Sequence, residues 1–152
     1  MTPAGTGAPL DRPIAAANRC ALVMDGVGLT RAGRDLLDGI DWQVRDDEDW
    51  VVLGLNGSGK TTLARVAALY EHPSRGTVQV LGQMLGRTDV RSLRERVALV
   101  GSAMSDLMRP QLSATDVVMC GRYAALEPWW HQYTDDDRAR AVELLTEQGV
   151  GH

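Results

Sequence analysis

Two hydrophobic patterns along the chain predict two kinds of strand. Residues 36–44 alternate between apolar and polar side chains, as a strand with one solvent-exposed face does. Residues 20–24 are apolar and end at an aspartate, and residues 77–81 alternate over a shorter run, so both are also predicted strands. Residues 50–53 and 97–100 are continuously apolar, which predicts buried strands, the second of them parallel and covered on both faces. The pattern therefore predicts an antiparallel meander followed by buried strands.

Four further segments carry the signals of helices. Residues 63–70 follow a glycine-rich loop and end before a proline and a glycine, which do not continue a helix cheaply. Residues 89–96 form a short charged segment for which Asp89 is the expected N-cap. We expect a helix to begin within residues 115–120. Residues 134–149 start with a threonine cap and an acidic first turn and end at a glycine, which predicts another helix.

The glycine-rich loop between the apolar run 50–53 and the helix 63–70 matches G-x-x-x-x-G-K-[ST] without a mismatch. Glycines let backbone N–H groups surround a polyphosphate because no Cβ blocks the approach, and the helix start adds partial positive charge. Lys60 is expected to reach the β- and γ-phosphates and the Thr61 hydroxyl to coordinate Mg²⁺. The predicted nucleotide-binding residues are Gly54, Leu55, Asn56, Gly57, Ser58, Gly59, Lys60, Thr61 and Thr62.

Composition supports this interpretation and narrows the class of partner. Lys60 is the only lysine among 16 basic residues, so a compact ammonium occurs only where phosphate binding calls for one. A net charge of −4 argues against nucleic acid as a partner. Cys20 and Cys120 form no C-x-x-C pair, and we expect both to be buried thiols in a reducing compartment. With no apolar run of the ~18–20 residues that a bilayer requires and no signal-peptide pattern, we expect a cytoplasmic protein.

The loop GLNGSGKTT and the run TLARVAALYEHPSRGTVQVLGQ that follows it resemble the ATP-binding domain of ABC transporters. The second run is the more specific, since many P-loop families share the loop alone. The resemblance covers roughly residues 20–150 and is to the front half of such a domain. It implies an α/β fold: a P-loop NTPase core with parallel strands and helices plus an N-terminal antiparallel meander, here incomplete. Residues 1–18 are then a flexible arm, and residues 19–152 the N-terminal portion of the domain.

The resemblance also implies roles at two positions where this sequence departs from the family. The aromatic residue that stacks on adenine falls near Arg31, whose planar guanidinium can also stack on a base, although a solvated turn arginine remains an equal alternative. The family's glutamine, which touches Mg²⁺ and the attacking water, is replaced at about the same place by Ser102. Serine is shorter, so a direct contact with the metal is not expected there, whereas a water-bridged contact remains open.

The groups that hydrolysis needs are missing from the sequence. No signature motif, no Walker B strand ending in Asp-Glu after residue 100 and no switch histidine is found. Asp25 ends an apolar run of the Walker B form, but it lies on the wrong side of the loop and a glycine follows it. His131 and His152 are similarly poor candidates for the switch histidine. The catalytic residues are therefore unknown, and we expect the 152-residue chain to bind ATP without useful turnover.

For the full-length protein the resemblance implies the ATP-binding subunit of a transporter that binds Mg-ATP and couples hydrolysis to transport. Its partners would be a second ATP-binding domain and integral membrane transport subunits, which would place it at the inner face of the membrane. A soluble ABC ATPase without a membrane partner and a truncated nucleotide-binding module remain alternatives. Another P-loop enzyme is disfavoured, because 53 residues precede Gly54 and no Asn-Lys-x-Asp motif is present.

An aromatic insert follows the second buried run. The segments 102–113 and 127–131 are expected to be irregular, and Trp129, Trp130 and Tyr133 lie in or near the second of them. The resemblance implies that this surface forms a groove for helices of the membrane subunit, where aromatic residues act as anchors. We expect instead that these side chains pack internally, since the chain has no phenylalanine with which to fill its core.

Overall fold

A computed structural model describes residues 20–150, so the predicted flexible arm of residues 1–18 lies outside the described residues. Two strands precede the first helix, two more follow it, and the rest of the described chain is helical, with loops that include short 3-10 turns. The strands are β1 (Cys20–Arg31), β2 (Arg34–Arg45), β3 (Arg75–Val80) and β4 (Gln83–Met84). The helices are α1 (Lys60–Ala67), α2 (Val90–Arg94), α3 (Ala114–Cys120) and α4 (Asp135–Glu147), and the 3-10 turns are Ser102–Leu107, Gly121–Tyr123 and Pro128–Trp130.

The strands form one antiparallel sheet in the order β2-β1-β3-β4, which confirms the predicted meander. Strands β1 and β2 are joined by a two-residue turn in which Ala32 and Gly33 have φ values of 50° and 75°. Positive φ at both central residues matches the right-handed twist of the strands, so this turn closes a tight hairpin. Met24 at the middle of β1 lies opposite Trp42 of β2 on one side and Val78 of β3 on the other.

The core lies between one face of this sheet and the helices α1 and α2. Alternating residues of the strands point toward the core, as the two-residue period of a strand requires. Helix α1 and the next two residues, Ala68 and Leu69, cover this face. The packing of the helix fixes the position of the loop that precedes it. The buried residues of this cluster are Leu22, Met24, Val27, Leu29, Leu37, Val66, Leu69, Val78, Val80 and Leu93.

The two continuous apolar runs are not strands, and the prediction of buried strands at 50–53 and 97–100 is wrong for this structure. Leu53 is 86% exposed and Val100 is 92% exposed. A strand needs a hydrogen-bonded neighbour, and within residues 20–150 no segment pairs with either run. Hydrophobicity alone therefore does not bury these segments.

The predicted helices all form, with shifted ends. The helix after the loop begins at Lys60 instead of residue 63 and ends at Ala67. Asp89 caps α2 as expected, because its carboxylate accepts a hydrogen bond of 3.0 Å from the Arg91 amide. Thr134 caps α4 through a reciprocal pair of hydrogen bonds with an aspartate in the first turn. Each of these helices starts where a local hydrogen bond satisfies its first amides or where the loop glycine turns the chain.

The cysteines and the tryptophans differ in part from the prediction. Cys120 is fully buried, but Cys20 is only half-buried and its sulfur accepts a hydrogen bond of 2.7 Å from the Gln43 amide. Trp129 and Trp130 are 60% and 67% exposed, so the expectation that they pack internally is wrong. Within the described residues, no helix is long and apolar enough to cross a membrane.

Two leucine-to-alanine substitutions, one in the core and one in an exposed apolar run, test whether the exposed run contributes to stability. Leu69 is 2% exposed. Its replacement by alanine should lower the free energy of unfolding by about 2–5 kcal/mol, because a cavity remains in the core. Leu53→Ala is the matched control and should change the free energy of unfolding by no more than about 0.5 kcal/mol. Urea unfolding of the 152-residue chain measures both values. Equal losses for the two variants would mean that residues 50–53 are buried in solution.

Candidate functional site

The glycine-rich loop curls directly onto the first turn of α1. Gly57 and Gly59 have φ values of 81° and 90°, in the left-handed region that glycine adopts without steric cost. The Ser58 amide donates a hydrogen bond of 3.2 Å to the Leu55 carbonyl, which closes a turn inside the loop. The Leu63 amide donates a hydrogen bond of 2.8 Å to the Gly59 carbonyl, which starts the helix. The loop and the helix N-terminus are thus one continuous structure.

Gly59 also lies against strand β2. A Cβ atom at this position would lie 2.8 Å from the carbonyl oxygen of Leu36 and 3.1 Å from the side chain of Leu37. Both distances are shorter than ordinary carbon contacts, so only glycine fits here. This close approach attaches the loop to the β1–β2 hairpin.

The Lys60 ammonium is folded back into the loop. Its Nζ atom donates hydrogen bonds of 2.8 Å to the Gly54 carbonyl and 2.7 Å to the Leu55 carbonyl. An ammonium has three donors, so one remains for an incoming anion. The first turn of α1 contains no acidic residue, and the positive end of the helix dipole is therefore not neutralised locally. These groups suit a phosphate ligand.

A polar cleft of about 280 Å³ lies between the loop and the β1–β2 hairpin. The hydroxyl-bearing Thr61 and Thr62 line it from the start of α1, and Asn56 lines it from the loop. A threonine hydroxyl is an oxygen ligand of the kind that Mg²⁺ binds beside phosphates, so the residues present fit a Mg-nucleotide. The hairpin contributes Arg34 and neighbouring residues to the opposite wall.

Arg31 is the predicted base-stacking residue, and in the structure its guanidinium is paired with a carboxylate. Its Nη2 atom lies 2.6 Å from the Glu71 carboxylate, which is only 12% exposed. Arg34, three positions further along the hairpin, lines the cleft instead. Sequence reasoning missed Arg34. The available signal was the two-residue period of β2, which places Arg34 on the same face as Leu36, and Leu36 also lines the cleft.

Ser102, the predicted counterpart of the family's glutamine, lies in a 3-10 turn that contacts α1. Ser102 is exposed at the start of a 3-10 turn, and its carbonyl accepts a hydrogen bond of 3.0 Å from the Ser105 hydroxyl. The same turn is tied to α1, because the Arg65 guanidinium lies 3.0 Å from the Asp106 carboxylate. The loop that contains Ser102 is therefore linked to the helix that carries the phosphate loop.

The residues judged to be poor catalytic candidates lie outside the cleft or outside the described residues. Asp25 is exposed in β1, opposite Thr77 of β3. The ring of His131 stacks on Tyr123 with a centroid distance of 4.4 Å. His152 lies beyond the described part of the chain. Among residues 20–150 no carboxylate or histidine other than Asp35 lines the cleft.

The aromatic insert presents its tryptophans at the surface through contacts with charged residues. The Arg109 guanidinium lies 5.8 Å from the ring centroid of Trp129, and the Trp129 indole donates a hydrogen bond of 2.8 Å to Glu127. Hydrogen bonds from Trp129 and Arg109 hold the pKa of Glu127 below its usual value. In contrast, burial and the neighbouring Cys120 raise the pKa of Tyr133 to about 12. The insert thus has an inward tyrosine and outward tryptophans.

Comparisons with a family model and with curated proteins both match this chain to ABC transporter proteins. The family model for ABC transporters matches residues 37–152. The chain is 36% identical over 130 residues to the uncharacterized ABC transporter ATP-binding protein YlmA of Bacillus subtilis, covering 85% of this chain and 49% of that protein. It is 32% identical over 127 residues to YmeB of Lactococcus lactis, another uncharacterized ABC transporter ATP-binding protein, covering 84% and 49%. The chain spans about half the length of the curated relatives it matches.

Solved structures support the fold. The dimeric structure of MJ0796, a bacterial ABC transporter cassette, matches with a TM-score of 0.60 at 19% identity, over 82% of this chain and 56% of that one. A second structure of the same cassette, in a post-hydrolysis state with ADP and Pi bound, matches equally well. The predicted fold class is confirmed by these matches.

Alanine substitutions at two glycines of the loop distinguish the cost of backbone strain from the cost of steric overlap. Gly57 has no neighbouring atom within 4 Å of an added Cβ, so Gly57→Ala should cost only the strain of positive φ, about 1–2 kcal/mol. Gly59→Ala adds the overlap with Leu36 and should cost about 1–3 kcal/mol more. Chemical denaturation measures both. Equal losses would show that the loop does not lie against the hairpin.

Proposed function

The chain belongs to the ABC transporter family, and from this membership we propose that it binds Mg-ATP through the loop of residues 54–62. The observation that carries the proposal is the Lys60 ammonium, held inside a curled loop at the N-terminus of α1. Lys60 and the backbone amides of the loop would hold the phosphates, and Thr61 would be a ligand of Mg²⁺. Magnesium supplies positive charge that offsets the charge of the triphosphate. Ser102 remains our proposal for a water-bridged contact with the metal.

We further propose that residues 19–152 are the N-terminal portion of an ABC-type ATP-binding domain. The half-length coverage of the relatives supports this. So does an apolar cavity of about 460 Å³ between α1, the sheet and the two exposed runs, lined in part by Val52, Leu63 and Val97. Strands from further chain that paired with residues 50–53 and 97–100 would satisfy their backbone groups and cover this surface.

In the full-length protein we propose that ATP hydrolysis drives transport, with a second ATP-binding domain and integral membrane subunits as partners and a cytoplasmic location. The exposed Trp129 and Trp130 support a partner surface, because aromatic side chains are enriched at the centres of interfaces. The sequence contains no recognisable carboxylate to orient water, so the 152-residue chain itself should bind ATP without appreciable turnover.

Calorimetry with Mg-ATP tests the binding proposal. Lys60→Ala should weaken binding roughly tenfold or more, since it removes a hydrogen-bonded charge from the phosphates. The matched control is Arg87→Ala, which removes one positive charge from an exposed position outside the cleft and should leave binding unchanged. Absence of magnesium-dependent ATP binding in the unmodified chain would contradict the proposal.

A phosphate-release assay tests the proposal that the 152-residue chain binds ATP without appreciable turnover. The unmodified chain should release inorganic phosphate from ATP at the background rate, because the water-orienting carboxylate is missing. Lys60→Ala is again the comparison. A rate well above background that disappears in this variant would mean that the chain needs no further residues for hydrolysis.

A further inference from the structure

The β1–β2 hairpin brings two arginines together at its turn. Arg31 and Arg34 are directly opposite each other in the strand register, on either side of the two-residue turn. Opposite residues of an antiparallel pair project from the same face of the sheet, and like charges there repel each other. A negative group beside either guanidinium would relieve this repulsion.

Among residues 20–150, only Arg31 of the two has such a partner. Glu71, just beyond α1, pairs with Arg31 at 2.6 Å. No carboxylate within residues 20–150 lies in ion-pair distance of Arg34. The adjacent Asp35 also lines the cleft, but its carboxylate is engaged by other groups: it accepts a hydrogen bond of 2.5 Å from the Thr30 hydroxyl and lies 3.8 Å from the Arg75 guanidinium. Within the described part of the chain, the charge of Arg34 therefore has no ion-pair partner.

That charge faces the site of the proposed nucleotide. Arg34 lines the same cleft as Asn56, Thr61 and Thr62, across from the start of α1. A guanidinium presents a planar set of donors that matches phosphate oxygens in pairs, and such charge-assisted bonds are among the stronger ones in proteins. The negative partner that the hairpin lacks would thus be supplied by the ligand.

We propose that Arg34 binds the phosphate chain of the nucleotide, while Arg31 is held by Glu71 in a structural ion pair. This rests on the proposed function, because it assigns a second cation to the same ligand that Lys60 binds. Lys60 approaches from the loop side of the cleft and Arg34 from the hairpin side, so the phosphates would lie between two positive groups. Arg34 then becomes the residue through which the hairpin responds to the ligand.

The test compares two probes, Mg-ATP and inorganic tripolyphosphate with Mg²⁺, by calorimetry on the whole 152-residue chain. Arg34→Ala should weaken binding of both probes by roughly tenfold, because both carry the phosphates. Arg34→Lys should recover part of the loss, since it keeps the charge but not the planar set of donors. The loss in Arg34→Ala should shrink as salt is raised, because an exposed charge is screened.

Two further variants make the comparison specific. Arg87→Ala is the control for the change in net charge, and Arg31→Ala should leave tripolyphosphate binding unchanged because Glu71 already neutralises Arg31. Thermal unfolding of every variant checks that the hairpin remains folded. If Arg34→Ala unfolds at a lower temperature than the unmodified chain, Arg34→Lys replaces it in the comparison, since this variant should keep the turn and part of the affinity.

Several outcomes would overturn the inference. Unchanged binding of both probes in Arg34→Ala would remove Arg34 from the site, and an equal loss in Arg31→Ala would contradict the division of roles. Weaker binding of ATP with unchanged tripolyphosphate would mean that Arg34 contacts the nucleoside instead. If the unmodified chain bound neither probe, the proposed function would fail together with this inference, whereas the other outcomes leave the proposed function intact.

Discussion

The approach of Gly59 to the backbone of Leu36 joins the phosphate loop to strand β2. Because glycine has no Cβ, the loop can lie against strand β2 at a distance that any other residue would forbid. This contact fixes where α1 begins and therefore where Lys60 and Thr61 point. It also brings Arg34 to the edge of the same cleft. A single close approach between backbone segments thus connects the hairpin, the loop and the helix.

Features that depend on neighbours in sequence could be predicted, and features that depend on distant partners could not. The loop motif, the caps at Asp89 and Thr134 and the alternation of β2 are all specified within a few residues, and the structure contains them. The apolar runs at 50–53 and 97–100 have strong strand character but no hydrogen-bonded neighbour within residues 20–150. Strand formation depends on such neighbours more than on composition, which is why hydrophobicity alone misled here.

The roles of arginines were equally hard to assign from sequence. Arg31 occupies the position where the resemblance places a stacking group, yet its guanidinium is engaged by Glu71, a residue forty positions away. Trp129 and Trp130 were expected inside because the chain lacks phenylalanine, but contacts with Arg109 and Arg91 hold them at the surface. In each case the side chain contacts a charged residue that is distant in sequence. Such interactions leave no periodic signal in the sequence.

Binding and hydrolysis make different demands on a chain. A phosphate cradle can be built from one loop, one helix start and one hairpin, because backbone amides, an ammonium and a guanidinium supply its charge locally. Hydrolysis also needs a carboxylate placed against a water molecule, and within the described residues the only carboxylate on the cleft, that of Asp35, is engaged by Thr30 and Arg75. On the proposal that further chain pairs with residues 50–53 and 97–100, a carboxylate that orients water would have to come from that added structure.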